Sequence, residues 1–255
     1  MRRAAALAAA LALVVAGCGG DDESASSSKP RLVVSAAASL KEALTRCSRA
    51  FDGATVRLSF AGSDELAAQI RQGVKPDVYA AANTKLPDAL AAEGRLSEPV
   101  VFASNRLVIA VPASERAVGS LADLARPGTK LAIGSESVPV GAYTRDVLGR
   151  VAAGERKRIL ANVRSNEPDV KGIVGKLTQG AVDAGFVYAS DVKATDGRLR
   201  AIALPARVAP TVTYGAGVVK GAAQPEPARR YVEGMVSGGC ADALRSAGFG
   251  PPPGQ

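Results

Sequence analysis

Short apolar runs of strand length alternate along the chain with segments in which apolar residues recur every three or four positions. The strand-like runs are "RLVVSA", "TVRLSF", "DVYAAA", "NRLVIAV", "KLAIG", "ANVRS" and "AGFVY". In the helical segments, residues such as Leu66, Ala67 and Ile70 share one face. Such an alternation is typical of an α/β fold, and it predicts mostly parallel sheets with helices between the strands.

Four of the predicted helices begin directly after a strand, in turns of small, hydroxylated or proline residues. They begin near Ser39, Ser63, Pro139 and Pro168. Ser39 could be an ordinary N-cap, and both prolines suit the first turn of a helix. Small side chains could instead leave room for a ligand, because ligands of open α/β sheets bind at the carboxyl ends of strands, where helix N-termini attract anions. Each junction alone is weak evidence, but together they favour an anion-binding protein.

The N-terminus has the layout of an export signal. Two arginines, Arg2 and Arg3, precede an apolar run that is too short for a permanent membrane anchor. An ordinary cleaved signal peptide is one interpretation. The segment "VAGC", which ends at Cys18, resembles the lipobox of bacterial lipoproteins, and we therefore predict a signal peptide over residues 1–17 and lipidation of Cys18. The polar stretch that follows suits a flexible tether over residues 18–30.

Composition excludes several classes of function. The 255-residue chain has a formal charge of +8, which falls to +6 without Arg2 and Arg3, and its basic residues are scattered. Aromatic residues make up 4% of the chain and none is tryptophan, which argues against a nucleic-acid partner. The chain has no histidine, so neither a Ser-His-Asp triad nor an HExxH zinc helix is possible.

The remaining cysteines, Cys47 and Cys240, are too few to form a zinc site alone. A disulfide is the usual state of such a pair in an exported protein, and two buried free thiols are the alternative.

A series of motifs resembles the periplasmic molybdate-binding proteins of ABC transporters. In chain order they are "AAASL", "FAGSDELAAQI", "PDVYAAANTK", "NRLVIAVP", "VPVGAY", "EPDVKG" and "GFVYASDV". The resemblance runs from Val33 to the final "AGFG", and the order and spacing of the motifs agree as well as their letters.

The resemblance implies a type II periplasmic binding-protein fold, in which two α/β lobes joined by two hinge crossings close on a tetrahedral oxyanion. Lobe 1 would comprise residues 31–107 and 215–255, and lobe 2 residues 108–214. The crossings would lie near "LVIAVP" and "TVTYGAG". Because the C-terminal segment returns to lobe 1 in this family, the resemblance also implies a disulfide between Cys47 and Cys240.

The resemblance further implies a ligand site made of hydroxyls and backbone N–H groups, without a bare metal cation or a cofactor. By matching motif its residues are Ser39, Ser63, Val140, Val170 and Tyr188. We expect molybdate or tungstate as ligand and an ABC transporter permease as partner. We also expect a monomer outside the cytoplasm, held at the cell membrane by a lipid on Cys18, and no enzymatic activity.

The chain departs from the family pattern around Ser63, where the family often has a run of serines, and at Val140, where it often has alanine. Asp64 would be unfavourable beside an anion, so we expect it to cap a helix or face solvent. Lys41 and Lys171 are also expected to be solvated. The alternatives are a receptor for sulfate or thiosulfate, an enzyme on the same bilobal scaffold such as porphobilinogen deaminase, and a tethered regulatory or adhesion module.

Overall fold

Two mixed sheets of five strands each, covered by helices, form the two lobes of the protein. The computed structural model describes residues 29–254. The predicted signal peptide and Cys18 lie outside the described residues. Within residues 29–254, no helix combines the length and the apolar character needed to cross a membrane.

The first lobe begins with the N-terminal part of the chain. Its first elements are β1 (Arg31–Ala37), α1 (Lys41–Arg49), β2 (Thr55–Ala61), α2 (Ser63–Arg71), β3 (Val78–Ala81), α3 (Lys85–Ala92) and β4 (Val100–Asn105). A short 3-10 helix, Ala38–Leu40, joins β1 to α1. Strand β1 pairs in parallel with β2 and β3, as helical crossovers between strands require.

The second lobe follows without a break. Its elements are β5 (Leu107–Pro112), β6 (Leu131–Gly134), α4 (Pro139–Gly149), α5 (Ala153–Ala161), β7 (Val163–Glu167), α6 (Val170–Thr178), β8 (Ala184–Tyr188), α7 (Ala189–Lys193) and β9 (Leu199–Ala203). A short 3-10 helix, Ala122–Ala125, precedes β6. All residues of β6 and β8 are buried, which explains why their sequences are continuously apolar rather than alternating.

The chain then returns to the first lobe through β10 (Val212–Val218), α8 (Pro225–Val236) and α9 (Gly239–Ser246). Helix α9 packs against α1, and Cys47 and Cys240 form a disulfide between these two helices, with their Cα atoms 4.6 Å apart. This bond joins residues that are 193 positions apart in sequence. The C-terminal segment is therefore tied covalently to the first helix of the chain.

The two sheets are mixed, whereas the sequence pattern predicts mostly parallel ones. One strand in each sheet runs antiparallel to its neighbours: β10 between β3 and β4, and β5 between β8 and β9. These are the strands that enter a sheet directly from the other lobe. They therefore start at the cleft between the lobes, whereas β1, β2, β6 and β8 end there.

The crossings lie where the strand pairings change from one sheet to the other. Asn105 still pairs with Val212 in the first sheet, while Leu107 already pairs with Tyr188 in the second. The chain thus leaves the first lobe at Arg106 and returns between β9 and β10.

Candidate ligand-binding site between the lobes

A small cavity lies where the strand ends and helix starts of both lobes meet. It is lined by Ala37, Ala38, Ser39, Ala61, Gly62, Ser63, Ala82, Val138, Pro139, Val140, Asp169, Val170 and Tyr188. The structure thus places all five residues predicted as ligand-binding, Ser39, Ser63, Val140, Val170 and Tyr188, around one cavity. They are distant in sequence and come from both lobes.

The cavity is the size of a small ion. The centre of a water molecule can move within a volume of about 20 Å³ inside the cavity, which equals a sphere of about 1.7 Å radius. With the water radius of about 1.4 Å added, the cavity holds a ligand of about 3.1 Å radius. A single tetrahedral anion has this order of size, whereas a sugar or a peptide is far larger.

Three helix starts at this cavity have no side-chain cap. Their N-cap residues are Ala37, Gly62 and Val138, and none of these residues makes a capping hydrogen bond through its side chain. The first N–H groups of a helix have no acceptor within the helix, and they carry its partial positive charge. At this cavity the free N–H groups are therefore available to a ligand rather than to a capping side chain.

The fourth helix start, that of α6, is capped by a residue that the sequence analysis missed. Asp169 Oδ1 accepts hydrogen bonds from the N–H groups of Lys171 at 2.7 Å and Gly172 at 3.1 Å. Because Asp169 is the N-cap, Pro168 precedes the helix and does not lie in its first turn as predicted. An Asp before an apolar helical run is the local signal that could have revealed this cap. The cap leaves the N–H of Val170 for the cavity.

The two serines have protein partners for their oxygen atoms. Ser63 Oγ accepts a hydrogen bond from the backbone N–H of Ala82 at 3.1 Å. Ser39 Oγ lies 3.1 Å from the hydroxyl oxygen of Tyr214, a residue that the sequence analysis did not single out. Ser39 lies within the short 3-10 helix and makes no capping hydrogen bond, so the interpretation of Ser39 as an N-cap is wrong.

Tyr188 ends β8, and its hydroxyl has no hydrogen-bond partner within the described part of the chain. The residue is 1% exposed, and its hydroxyl oxygen is buried beside the cavity. Burial raises the pKa of Tyr188 well above its usual value, so the hydroxyl keeps its proton. A buried hydroxyl without a partner is energetically unfavourable, and a bound acceptor would satisfy it.

Small residues allow the close approaches on which the cleft depends. A Cβ atom on Gly62, in the first lobe, would lie 2.5 Å from the carbonyl oxygen of Pro168, in the second. A Cβ atom on Gly141 would overlap the carbonyl oxygen of Ser135, where α4 starts against the end of β6. The first glycine lets the lobes meet, and the second lets α4 begin next to the cavity.

Among residues 29–254, no lysine or arginine lines the cavity. Lys171 is mostly buried in an ion pair, whereas the sequence predicted a solvated side chain. Its ammonium lies 2.9 Å from Glu42 Oε2 in the first lobe and 3.1 Å from Asp191 Oδ1 in the second. The side chain of Asp191 is fully buried. Lys41, in contrast, is exposed as expected.

This ion pair shifts both pKa values. Burial raises the pKa of Asp191 to about 6, and the nearby Lys171 limits the rise. Burial alone would lower the pKa of Lys171, but its carboxylate partners outweigh that effect and raise it. The Glu42–Lys171 contact crosses between the lobes, so it favours their closed arrangement.

Asp64 does not cap its helix, which was one of the two expectations for it, and the residue is half-buried rather than fully exposed. It makes no capping hydrogen bond, and its Oδ1 atom is buried without a hydrogen-bond partner in the described residues. A Cβ atom on Gly62 would lie 2.8 Å from this oxygen, so the carboxylate packs against the same turn as the cavity.

Comparison with known proteins agrees with this geometry. Residues 32–250 match the sequence family described as bacterial extracellular solute-binding protein. The molybdate-binding protein ModA of Mycobacterium tuberculosis is 35% identical over 227 residues, which cover 87% of this chain and 85% of that protein. ModA of Escherichia coli is 28% identical over 203 residues, which cover 75% of this chain and 78% of that protein.

A solved structure supports the fold independently. The periplasmic molybdate-binding protein of Azotobacter vinelandii matches with a TM-score of 0.76 at 21% identity, covering 87% of this chain and 99% of that one. This similarity agrees with the predicted two-lobed architecture. These relatives are binding proteins, as expected, and not enzymes. The chain belongs to the family of bacterial extracellular solute-binding proteins.

Proposed function

We propose that this protein captures molybdate, and also tungstate, outside the cytoplasm and delivers it to the permease of an ABC transporter. The observation that carries the proposal is a cavity the size of one small anion, bordered by uncapped helix starts and by the unpartnered hydroxyl of Tyr188. The 35% identity to a molybdate-binding protein supports the choice of oxyanion.

Neutral donors suit reversible capture. Ser39, Ser63 and Tyr188 supply hydroxyls, and Val140 and Val170 supply backbone N–H groups at helix starts. Preorganised dipoles in a closed cleft stabilise an anion strongly. The protein then avoids the desolvation of a buried counter-charge, which costs several kcal/mol. Reopening of the lobes releases the ligand to the transporter.

The test is a binding screen on the chain from Arg31 onward, with molybdate, tungstate, sulfate, thiosulfate and phosphate. We expect molybdate and tungstate to raise the melting temperature in a concentration-dependent way, because a ligand that binds only the folded state stabilises it. Calorimetry should give much weaker binding of sulfate and phosphate. Equal affinity for sulfate or thiosulfate would favour the alternative receptor, and no binding of any oxyanion would contradict the proposal.

The proposal includes a lipid anchor at Cys18. It is supported by the "VAGC" motif and the polar tether that follows it. Membrane fractionation in a bacterial host should find the wild type with the membrane and Cys18→Ala released or mislocalised. A wild-type protein that is soluble and carries no lipid would contradict the anchor. We further propose that the protein acts as a monomer, which light scattering of the purified chain would test.

A further inference from the structure

The two serines of the cavity differ in how their hydroxyl hydrogens are oriented. Ser63 Oγ accepts a hydrogen bond from the backbone N–H of Ala82. A backbone N–H can only donate, so the hydroxyl hydrogen of Ser63 remains free to donate to a ligand. For Ser63, the backbone N–H of Ala82 alone therefore determines that the hydroxyl can donate its hydrogen to a ligand.

Ser39 has no such fixed partner. Its Oγ atom pairs with the hydroxyl of Tyr214, and either oxygen could be the donor. If Ser39 donates to Tyr214, it presents a lone pair to the cavity; if Tyr214 donates, Ser39 presents its hydrogen. A third group must therefore decide what Ser39 offers to an anion.

That third group is the side chain of Asn105, at the end of β4 beside the crossing into the second lobe. Its Oδ1 atom accepts from the N–H of Arg106 at 2.8 Å, which fixes the orientation of the amide. Its Nδ2 group donates to Ser190 Oγ at 2.8 Å. Asn105 is the strand partner of Val212, two residues before Tyr214, so the side chains of Asn105 and Tyr214 project from the same face of the sheet as diagonal neighbours. Hydrogen bonding from Asn105 is one of the influences that lower the pKa of Tyr214 against the larger effect of burial. Nδ2 carries two hydrogens, so the second one is available to Tyr214.

We propose that Asn105 and Tyr214 are positioning residues that make Ser39 a hydrogen-bond donor to the bound anion. Asn105 donates to Tyr214, Tyr214 donates to Ser39, and Ser39 donates to the ligand. The inference rests on the proposed function and deepens it. The site then rejects a protonated oxyanion, because the proton of such an anion meets another hydrogen where it needs an acceptor.

The surroundings of Tyr214 support this role. The residue is fully buried, and its ring packs edge-to-face on Tyr188 with centroids 5.8 Å apart and on Phe249 at 5.2 Å. Burial raises the pKa of Tyr214 well above its usual value, so its hydroxyl keeps the proton that it must donate. The ring is held in place, and only the direction of the hydroxyl hydrogen remains to be set.

The test compares Tyr214→Phe with a matched control, Tyr231→Phe. Tyr231 also pairs with a serine hydroxyl, Ser48 at 2.8 Å, but this pair lies between α1 and α8, away from the cavity. Calorimetry in mildly alkaline buffer measures the affinities for molybdate and for inorganic phosphate. At this pH phosphate is a dianion that carries one proton. Because both ligands have the same charge, the ratio of their affinities isolates the effect of the proton.

We expect Tyr214→Phe to weaken molybdate binding by about 5- to 10-fold, the effect of about one hydrogen bond, and to reduce the discrimination against phosphate. Tyr231→Phe should change neither. In a Ser39→Ala background, Tyr214→Phe should have little further effect, because the hydroxyl that it orients is gone. A merely structural role of Tyr214 would weaken binding equally in both backgrounds.

Asn105→Asp provides the second variant. A carboxylate accepts from Tyr214 and reverses the chain of hydrogen bonds, so the ratio of molybdate to phosphate affinity should fall further than in Tyr214→Phe. Additive losses in the Ser39→Ala background, or an unchanged affinity ratio in both variants, would overturn the inference. A wild type that binds no oxyanion would instead contradict the proposed function itself.

Discussion

The two walls of the candidate site offer different groups to a ligand. The first lobe adds two side-chain hydroxyls, those of Ser39 and Ser63, to the free N–H groups of its own helix starts. The second lobe presents the helix starts at Val140 and Val170, where only the backbone can donate, together with the hydroxyl of Tyr188. The first wall therefore depends more on which residue stands at a position, and the second more on the path of the backbone.

The lobes also differ in how they are held together. The first lobe is made of two separate segments of the chain, which the Cys47–Cys240 disulfide joins covalently. The second lobe is one continuous segment between the crossings. Mutations should therefore affect the stability and the ligand binding of the two lobes differently, and five predictions test this difference.

The largest effect should follow from removal of the disulfide, by Cys240→Ser or Cys47→Ser. The bond closes a loop between residues 193 positions apart, and in the chain-entropy model such a loop contributes up to about 5 kcal/mol to the free energy of unfolding. Denaturant unfolding measures the loss. The double variant should be no less stable than either single one, and variants as stable as the wild type would show that the first lobe does not depend on this bond.

The second-largest effect on stability should follow from loss of Lys171, the lysine between the lobes. Lys171→Met leaves the buried carboxylate of Asp191 without its cation, and removal of one partner from a buried pair costs about 3 kcal/mol or more. Lys41→Met is the matched control, because Lys41 is exposed and does not line the cavity. Equal melting temperatures for the two variants would contradict a role of Lys171 beyond solvation.

The same variant has a predicted pH dependence. The pKa of Asp191 is about 6 in the folded protein, above its ordinary value of 3.8, so the protonated form favours folding. This contribution is fully present below the ordinary pKa and is lost as the pH rises through 6. Without Lys171 the pKa should rise further, so the stability difference between Lys171→Met and the wild type should grow with pH. A difference that is constant across this range would be evidence against the ion pair.

A backbone change should damage the second wall more than a side-chain change does. Gly141→Ala would place a methyl group on the carbonyl oxygen of Ser135, at the start of α4. Such overpacking costs about 1–3 kcal/mol, and here it should also displace the N–H groups that face the cavity. Gly149→Ala is the matched control, because the added methyl group would meet nothing within 4 Å at the end of the same helix. Thermal melting and calorimetry would compare the melting temperatures and molybdate affinities of the two variants. Equal values would contradict the proposed difference between the walls.

The smallest effects should appear in a direct comparison of side chains from the two walls. Ser63→Ala removes a donor and should cost roughly 1.5–3 kcal/mol of molybdate binding, as expected for a hydrogen bond to a charged group. Val140→Ala keeps the backbone N–H, so it should weaken molybdate binding less than Ser63→Ala does. Calorimetry of folded variants decides between them. A larger loss from Val140→Ala would mean that the second wall also depends on side chains.

The sequence by itself determined the local features of this protein. Strand-to-helix junctions at Ser39, Ser63 and Pro139 were recognisable because turns, prolines and apolar periodicity act over a few neighbouring residues. Combined with the resemblance to a known family, they also predicted which residues meet at the cavity. The sequence pattern could not tell whether Ser39 capped a helix or faced a ligand, because the same small and hydroxylated residues serve both purposes.

Only the tertiary structure decided the contacts between distant parts of the chain. The antiparallel strands β5 and β10 follow from the direction in which the chain enters each lobe, which no local pattern encodes. Tyr214 lies 175 positions from Ser39, and Lys171 lies 129 positions from Glu42. In the sequence these residues look like an ordinary core tyrosine and an ordinary surface lysine. Their hydrogen-bonding and ionic roles arise because folding brings them into an interior where each polar group needs a partner.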